Sequence, residues 1–301
     1  MTSRLLDVLG LPITAARWWR RMTTAPPVEL WLLAGGLPLV LALSWLSGLG
    51  ERLAFDLSAE SLWASERTLI TALTANYAHF TARHLFDNLL NFWVTLFAIY
   101  PLVGLAGWGR RFRLSVGAYL FAVPFVIAAV TLAVTEPSTS QFAVGFSGIV
   151  AALLGFLPVV LAAAAARATD GSIGPAWAAV PFCGSLAVAA AFSPALSASA
   201  RAPVAAGWLL TAGLIGGWRW LADRPRGVAS AADRLPPDHR LAFLIGATVF
   251  VFGVAGAFVF VGASTNVWGH LAGYVAGFLV PYLGFVLVPG VLAAFPHGSA
   301  R

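Results

Sequence analysis

The chain is poor in charge, holds one cysteine and contains no lysine. Only 10% of its 301 residues are charged, against about a quarter in a soluble domain. That shortage excludes an ordinary water-soluble globule. A single cysteine, Cys183, excludes an intrachain disulfide and a cysteine metal site. In its Ala-rich apolar run it is expected to be a small buried hydrophobe. There is no H-E-x-x-H, which disfavours a zinc protease. Nor is there an uninterrupted apolar core at the N terminus. Asp7, Arg17 and Arg20 break up Met1–Pro27, so the pattern of a cleaved signal peptide is missing.

What the chain has instead is hydrophobicity: 59% apolar residues and a mean hydropathy of +0.85. Eight apolar runs are each about long enough to cross a bilayer, near 29–50, 85–106, 113–134, 147–167, 174–195, 203–222, 241–262 and 268–293. They are continuous and rich in Ala, Leu and Gly rather than alternating, which predicts helices and not a barrel. The expected fold is therefore an all-α polytopic membrane protein. Arginine sets its expected orientation. With the N terminus inside, fourteen arginines fall on inner segments, and only Arg52, Arg67, Arg83 and Arg201 fall outside. An even number of spans then places both termini inside. The net charge of +6 is accounted for by those inner arginines facing an anionic membrane surface, with no nucleic acid required.

The expected organisation is a basic amphipathic segment over 1–28, a membrane domain over 29–293 and a short tail over 294–301. Trp18 and Trp19 are expected at the headgroup level of the inner surface, with a transit peptide as the alternative for this segment. The outer loop Glu51–Arg83 is long and of mixed character, a length more often functional than idle. The inner loop Asp223–Arg240, with its prolines, reads as a solvated linker. No solenoid repeat is present. No organelle signal is clear, so a prokaryotic plasma membrane is the expected location.

Polar groups at membrane depth are costly, and each is a functional hypothesis. His84 and Asn88 are four apart, on one face at the start of the second run. Their N–H groups could clamp an oxyanion or simply join helices. Ser147 opens the fourth run within Gly145-Phe146-Ser147-Gly148. It could be a nucleophile beside the free amides of a helix start, or a helix cap among packing glycines. His270, Gly273 and Gly277 share one stripe at the start of the last run. Gly273 and Gly277 suit close helix approach, which could bring His270 to Ser147 as general base or leave it a core histidine. By the arginine orientation all three runs start outside, so His84, Ser147 and His270 lie at a common depth. No acid completes a triad, because Asp87 is placed to pair with Arg83. A Ser-His pair suffices if packing orients the imidazole.

These residues resemble the rhomboid family of intramembrane serine proteases. The chain carries H-x₄-H-x₃-N at His79, His84 and Asn88, then G-x-S-G at Gly145, Ser147 and Gly148, then H-x₂-G-x₃-G at His270, Gly273 and Gly277. The resemblance covers roughly 29–167 and 241–293. It implies a six-helix core, no cofactor and no metal. It also implies cleavage of transmembrane protein substrates near the outer face. Ser147 would be the nucleophile and His270 the base. His84, Asn88 and the Ser147 amide would form the oxyanion hole. His79 would support the loop, and Gly145, Gly148, Gly273 and Gly277 the packing. Three departures stand out. Ala151 replaces the aromatic residue that often stacks on the base. Glu66-Arg67 stands nearest to a Trp-Arg of the first outer loop. Three spans, not one, separate Ser147 from His270, so a helix pair inserted within 168–240 and lying at the periphery is expected. An inactive relative that binds membrane clients is the alternative function. A transporter would need repeated halves with broken helices, which the sequence does not display.

Overall fold

Long apolar runs can satisfy their backbone groups within a bilayer only as helices, and helices are what these runs form. The structure, a computed structural model, describes residues 15–134, 142–169, 173–223, 235–262 and 265–290. In order they build α1 (Ala15–Met22), α2 (Pro27–Leu46), α3 (Glu66–Thr74), α4 (Ala82–Ala106), α5 (Gly109–Phe121), α6 (Val123–Val134), α7 (Ser147–Ala168), α8 (Ala179–Phe192), α9 (Ala198–Asp223), α10 (Pro237–Phe258) and α11 (Val267–Gly290). Among the described residues seven helices are long and apolar enough to cross a membrane. The pair α5–α6, bent by 44°, makes an eighth. The protein is thus an all-α polytopic membrane protein. Its outer surface supports this: α9 alone exposes Leu209, Leu210, Leu214, Trp218, Trp220 and Leu221, far more apolar surface than a water-soluble monomer tolerates.

The centre of the bundle is α7, which is buried along most of its length. Its partner α11 runs parallel to it. Gly273 lies against the Gly148 carbonyl and Gly277 against the Ala152 carbonyl, leaving no room for a Cβ at either. Small residues let the two backbones close up in this way. Tyr119 of α5 locks the seam by donating its hydroxyl to the Gly277 carbonyl at 2.6 Å. Helix α4 also runs parallel to α7, since Gly145 meets His84 at one end and Gly107 meets Arg167 at the other. Helix α10 runs the opposite way, with Gly253 on Leu154 and Gly246 on Leu161. The starts of α4, α7 and α11 therefore share one end of the bundle.

The segment between α2 and α4 has its own small core of Phe55, Leu57, Ala72 and Ala75, closed by Ala128 of α6. Phe55–Asp56 pairs antiparallel with Phe142–Ala143, a two-residue ribbon that ties this loop to the segment before Ser147. The Tyr77 hydroxyl donates to the Leu120 carbonyl at 2.6 Å, and burial pushes its pKa up to about 12. This loop is seated by ribbon and tyrosine, while Glu66 and Arg67 remain exposed.

Two expectations need correction. Trp18 is buried rather than at a headgroup surface. Its indole N–H reaches the Asp238 carbonyl at 3.1 Å, and Trp19 stacks on Phe97 of α4 at 4.8 Å. An indole offered a carbonyl partner can be buried without loss, so α1 packs across α4 and α10. Second, of α8 and α9, both expected at the periphery, only α9 lies there. The apolar window of α9 is 6% buried, but that of α8 is 50%. Phe182 of α8 stacks on Phe278 of α11 at 3.8 Å, and Ser185 bonds to Tyr274. Cys183 is buried and free, as its apolar run predicts. Residues 1–14, the loop before Phe142, most of the proline-bearing linker after α9 and the tail over 294–301 lie outside the described residues.

Candidate active site

Ser147 is the first helical residue of α7. The residue capping that helix is Phe146, and no side chain caps it, so the serine hydroxyl is not consumed as a cap. Phe146 is fully buried against Tyr77 and Phe92 and anchors the turn. Gly145, at φ +127°, occupies backbone space that favours glycine. Its amide donates to the Ala75 carbonyl at 2.9 Å. At the first turn the amides of Ser147 and Gly148 have no intrahelical partner by position.

His84 and Asn88 close on this turn from α4. A Cβ on Gly145 would lie 2.7 Å from His84 Nε2 and 3.5 Å from Asn88 Nδ2. The clamp residues and the serine turn, some sixty residues apart in sequence, are thus in contact in space. Asn88 Nδ2 donates to His79 Nε2 at 2.8 Å, and the Phe146 amide approaches the same nitrogen at 3.5 Å. Two donors on Nε2 require its lone pair, so His79 is neutral with its proton on Nδ1. Burial, with His84 nearby, pushes its pKa down to about 4. His79 therefore links the clamp to the turn. The Arg83–Asp87 pair is present at 3.9 Å, exposed at the start of α4. A pair of this kind adds less than about 1 kcal/mol.

His270 sits at the start of α11. The Asn266 side chain caps that helix by accepting from the Gly269 amide at 2.8 Å, and it reaches Thr131 of α6 at 3.0 Å. With no aromatic ring at Ala151, another group holds the imidazole: His270 Nδ1 donates to the Ala257 carbonyl of α10 at 3.1 Å. A carbonyl only accepts, so Nδ1 carries the proton and Nε2 keeps the lone pair a general base needs. Gly269 and Gly273, on either side of His270, both contact Gly148, next to Ser147. Among the described residues no hydrogen bond joins Ser147 to His270. Nor do three potential metal-ligating side chains gather among them.

Compared with protein-family models, with curated proteins and with solved structures, the chain matches none. Its function must therefore be read from the site itself.

Three participants were not picked out from the sequence: Asn266 and the Ala257 and Ala75 carbonyls. Asn266 has a legible signal, an Asn three residues before a glycine at the start of an apolar run. The Ala257 and Ala75 carbonyls have none, because any residue supplies a carbonyl and only the fold aims it.

Proposed function

We propose that the protein is an intramembrane serine protease of rhomboid type, oriented with both termini inside, that hydrolyses peptide bonds of transmembrane substrates near the outer face. The observation that carries this reading is the meeting of three helix starts at one end of the bundle. A serine turn is gripped by His84 and Asn88, beside an imidazole whose Nδ1 is held by a carbonyl. In the proposed reaction Ser147 Oγ attacks the substrate carbonyl while His270 Nε2 takes its proton. The oxyanion is met by the Ser147 amide and by N–H groups of His84 and Asn88. The tetrahedral intermediate collapses to an acyl-enzyme as His270 returns the proton to the leaving amine. Water, activated by His270, then releases the acid and restores the serine. The six-helix core of this reading comprises α2, α4, the bent α5–α6, α7, α10 and α11, with α8 and α9 as the added pair.

A second reading is an inactive member that binds membrane clients without cutting them. It is favoured by Ala151 and by the lack of a Ser147–His270 hydrogen bond. Catalytic hydrogen bonds are often loose before substrate binds, so this favours the second reading only weakly. The two part on one experiment. The detergent-solubilised wild type is expected to react with a fluorophosphonate and to cleave a transmembrane reporter; Ser147→Ala and His270→Ala are expected to do neither. Labelling that persists without Ser147, or a wild type inert in both assays, overturns the protease reading.

A further inference from the structure

Helix α10 holds His270 through the Ala257 carbonyl, which takes the Nδ1 proton at 3.1 Å near the serine end. Yet α10 is only loosely packed. Its apolar window is 28% buried, against 72% for that of α7. It meets α7 at Gly253 and Gly246, and Gly246 also lies against Leu102 of α4. From that contact towards the serine end, α4 and α10 stand apart. A cleft of about 410 Å³ separates Trp93 and Phe97 of α4 from Val249 of α10.

Helix α1 closes the other end of this seam. The Trp18 indole N–H donates to the Asp238 carbonyl, in the first turn of α10, at 3.1 Å. The Trp18 ring lies 5.8 Å from Phe97 of α4. Trp19 stacks on that same ring at 4.8 Å and meets Tyr100 edge-on at 6.2 Å. Trp19 also floors the cleft. Met22 is buried, and its carbonyl lies against Gly104 of α4 with no room for a Cβ. One short helix thus joins the helix that carries His84 and Asn88 to the helix that holds His270.

With eight residues, α1 is too short to be stable alone, and two hosts suit it. The bundle takes its rings. A membrane surface suits it as well, because Arg17, Arg20 and Arg21 flank the two tryptophans. A helix with two hosts is a bistable element, and whatever favours one host shifts the balance. We propose that α1 is a clip on the α4–α10 seam. Docked, it keeps the Ala257 carbonyl on His270. Released to the membrane surface, it lets the cleft widen and the carbonyl withdraw. The effect on catalysis rests on the protease reading; the effect on the seam does not.

Two full-length variants release α1 from opposite sides. The double change Trp18→Ala, Trp19→Ala removes the rings, and Gly104→Ala sets a methyl group against the Met22 carbonyl without altering α1. Folding of each is checked by the thermal exposure of Cys183 to a thiol dye, and either folded variant is sufficient. In a Cys183→Ala background, a Met22→Cys reporter is expected to be protected in the parent and reactive in the variants. Spin labels at Phe86→Cys on α4 and Phe252→Cys on α10, both exposed, are expected to move to longer separations in the variants. Fluorophosphonate labelling of Ser147, which needs no lateral entry of a substrate, is expected to slow by up to about 10²-fold. A reporter that stays protected in a folded variant overturns the clip, as does a released α1 with unchanged spin separation. A longer separation with an unchanged labelling rate overturns the link to His270. A wild type that does not label at all counts against the protease reading instead, and the spin separations still decide the clip.

Discussion

At the scale of single residues, the site depends on which nitrogen carries a proton and which donors converge. If His84 and Asn88 meet the oxyanion, His84→Ala and Asn88→Ala should each lower kcat by about 10²–10³-fold. KM should change little in either variant; the thermal midpoint should hold in His84→Ala and fall in Asn88→Ala, which leaves the buried His79 without its 2.8 Å donor, a loss of about 1–3 kcal/mol. An unchanged kcat for both variants would remove the clamp from the mechanism. His79 makes a different prediction. Its imidazole is held neutral, with a pKa near 4 in the fold against about 6.5 in the unfolded chain. The unfolded state thus binds the proton first. The stability His79 contributes is fully present above pH ~6.5 and is lost as the pH falls towards about 4. The thermal midpoint, read through Cys183, should fall across that window in the wild type and less steeply in His79→Gln. Parallel slopes would mean that His79 does not titrate as its burial requires.

At the scale of elements, the contact between α7 and α11 decides whether Ser147 and His270 can meet. Gly273 and Gly277 press on carbonyls of α7, so a methyl group there must separate the helices. Gly273→Ala and Gly277→Ala should each destabilise by roughly 1–3 kcal/mol, the usual range for overpacking. Gly213 and Gly217 of α9 provide the control, since a Cβ there meets nothing within 4 Å. Gly213→Ala should be neutral or stabilise by up to about 1 kcal/mol through helix propensity. Equal effects at seam and control would mean that glycine at the seam is not there for close approach. The third span shows how an element departs from its apolar pattern. The run over 113–134 reads as one helix, yet the chain bends by 44° between α5 and α6. Pro124, just after the bend, lacks the N–H a continuous helix would use.

For the whole molecule, the arginine asymmetry predicts which end faces outward. In a Cys183→Ala background, Glu60→Cys beside the serine end should react with an impermeant thiol reagent added outside. Arg110→Cys at the opposite end should be shielded until the membrane is permeabilised. Both sites are exposed, so accessibility to the reagent is set by the bilayer and not by packing. Labelling of both from one side, or the reverse pattern, would overturn the orientation. Glu136 and Pro225, the natural choices from loop position, lie outside the described residues.

The helical membrane class and the approximate spans were legible in the sequence, because a bilayer accepts continuous apolar runs only as helices. The spacing of His84 from Asn88, and of His270 from Gly273 and Gly277, was legible as well, since helical periodicity places such residues on one face. Cys183 followed from burial of its run. The partners were not legible. Trp18 looked like a surface anchor until the Asp238 carbonyl provided a buried partner. Helix α8 looked peripheral until Phe182 met Phe278. The means of orienting His270 without a ring at Ala151 is the Ala257 carbonyl of another helix. Hydropathy and periodicity depend on neighbours along the chain, so the sequence carries them openly. Which carbonyl faces which imidazole depends on how distant helices pack, and that is resolved only when the bundle closes.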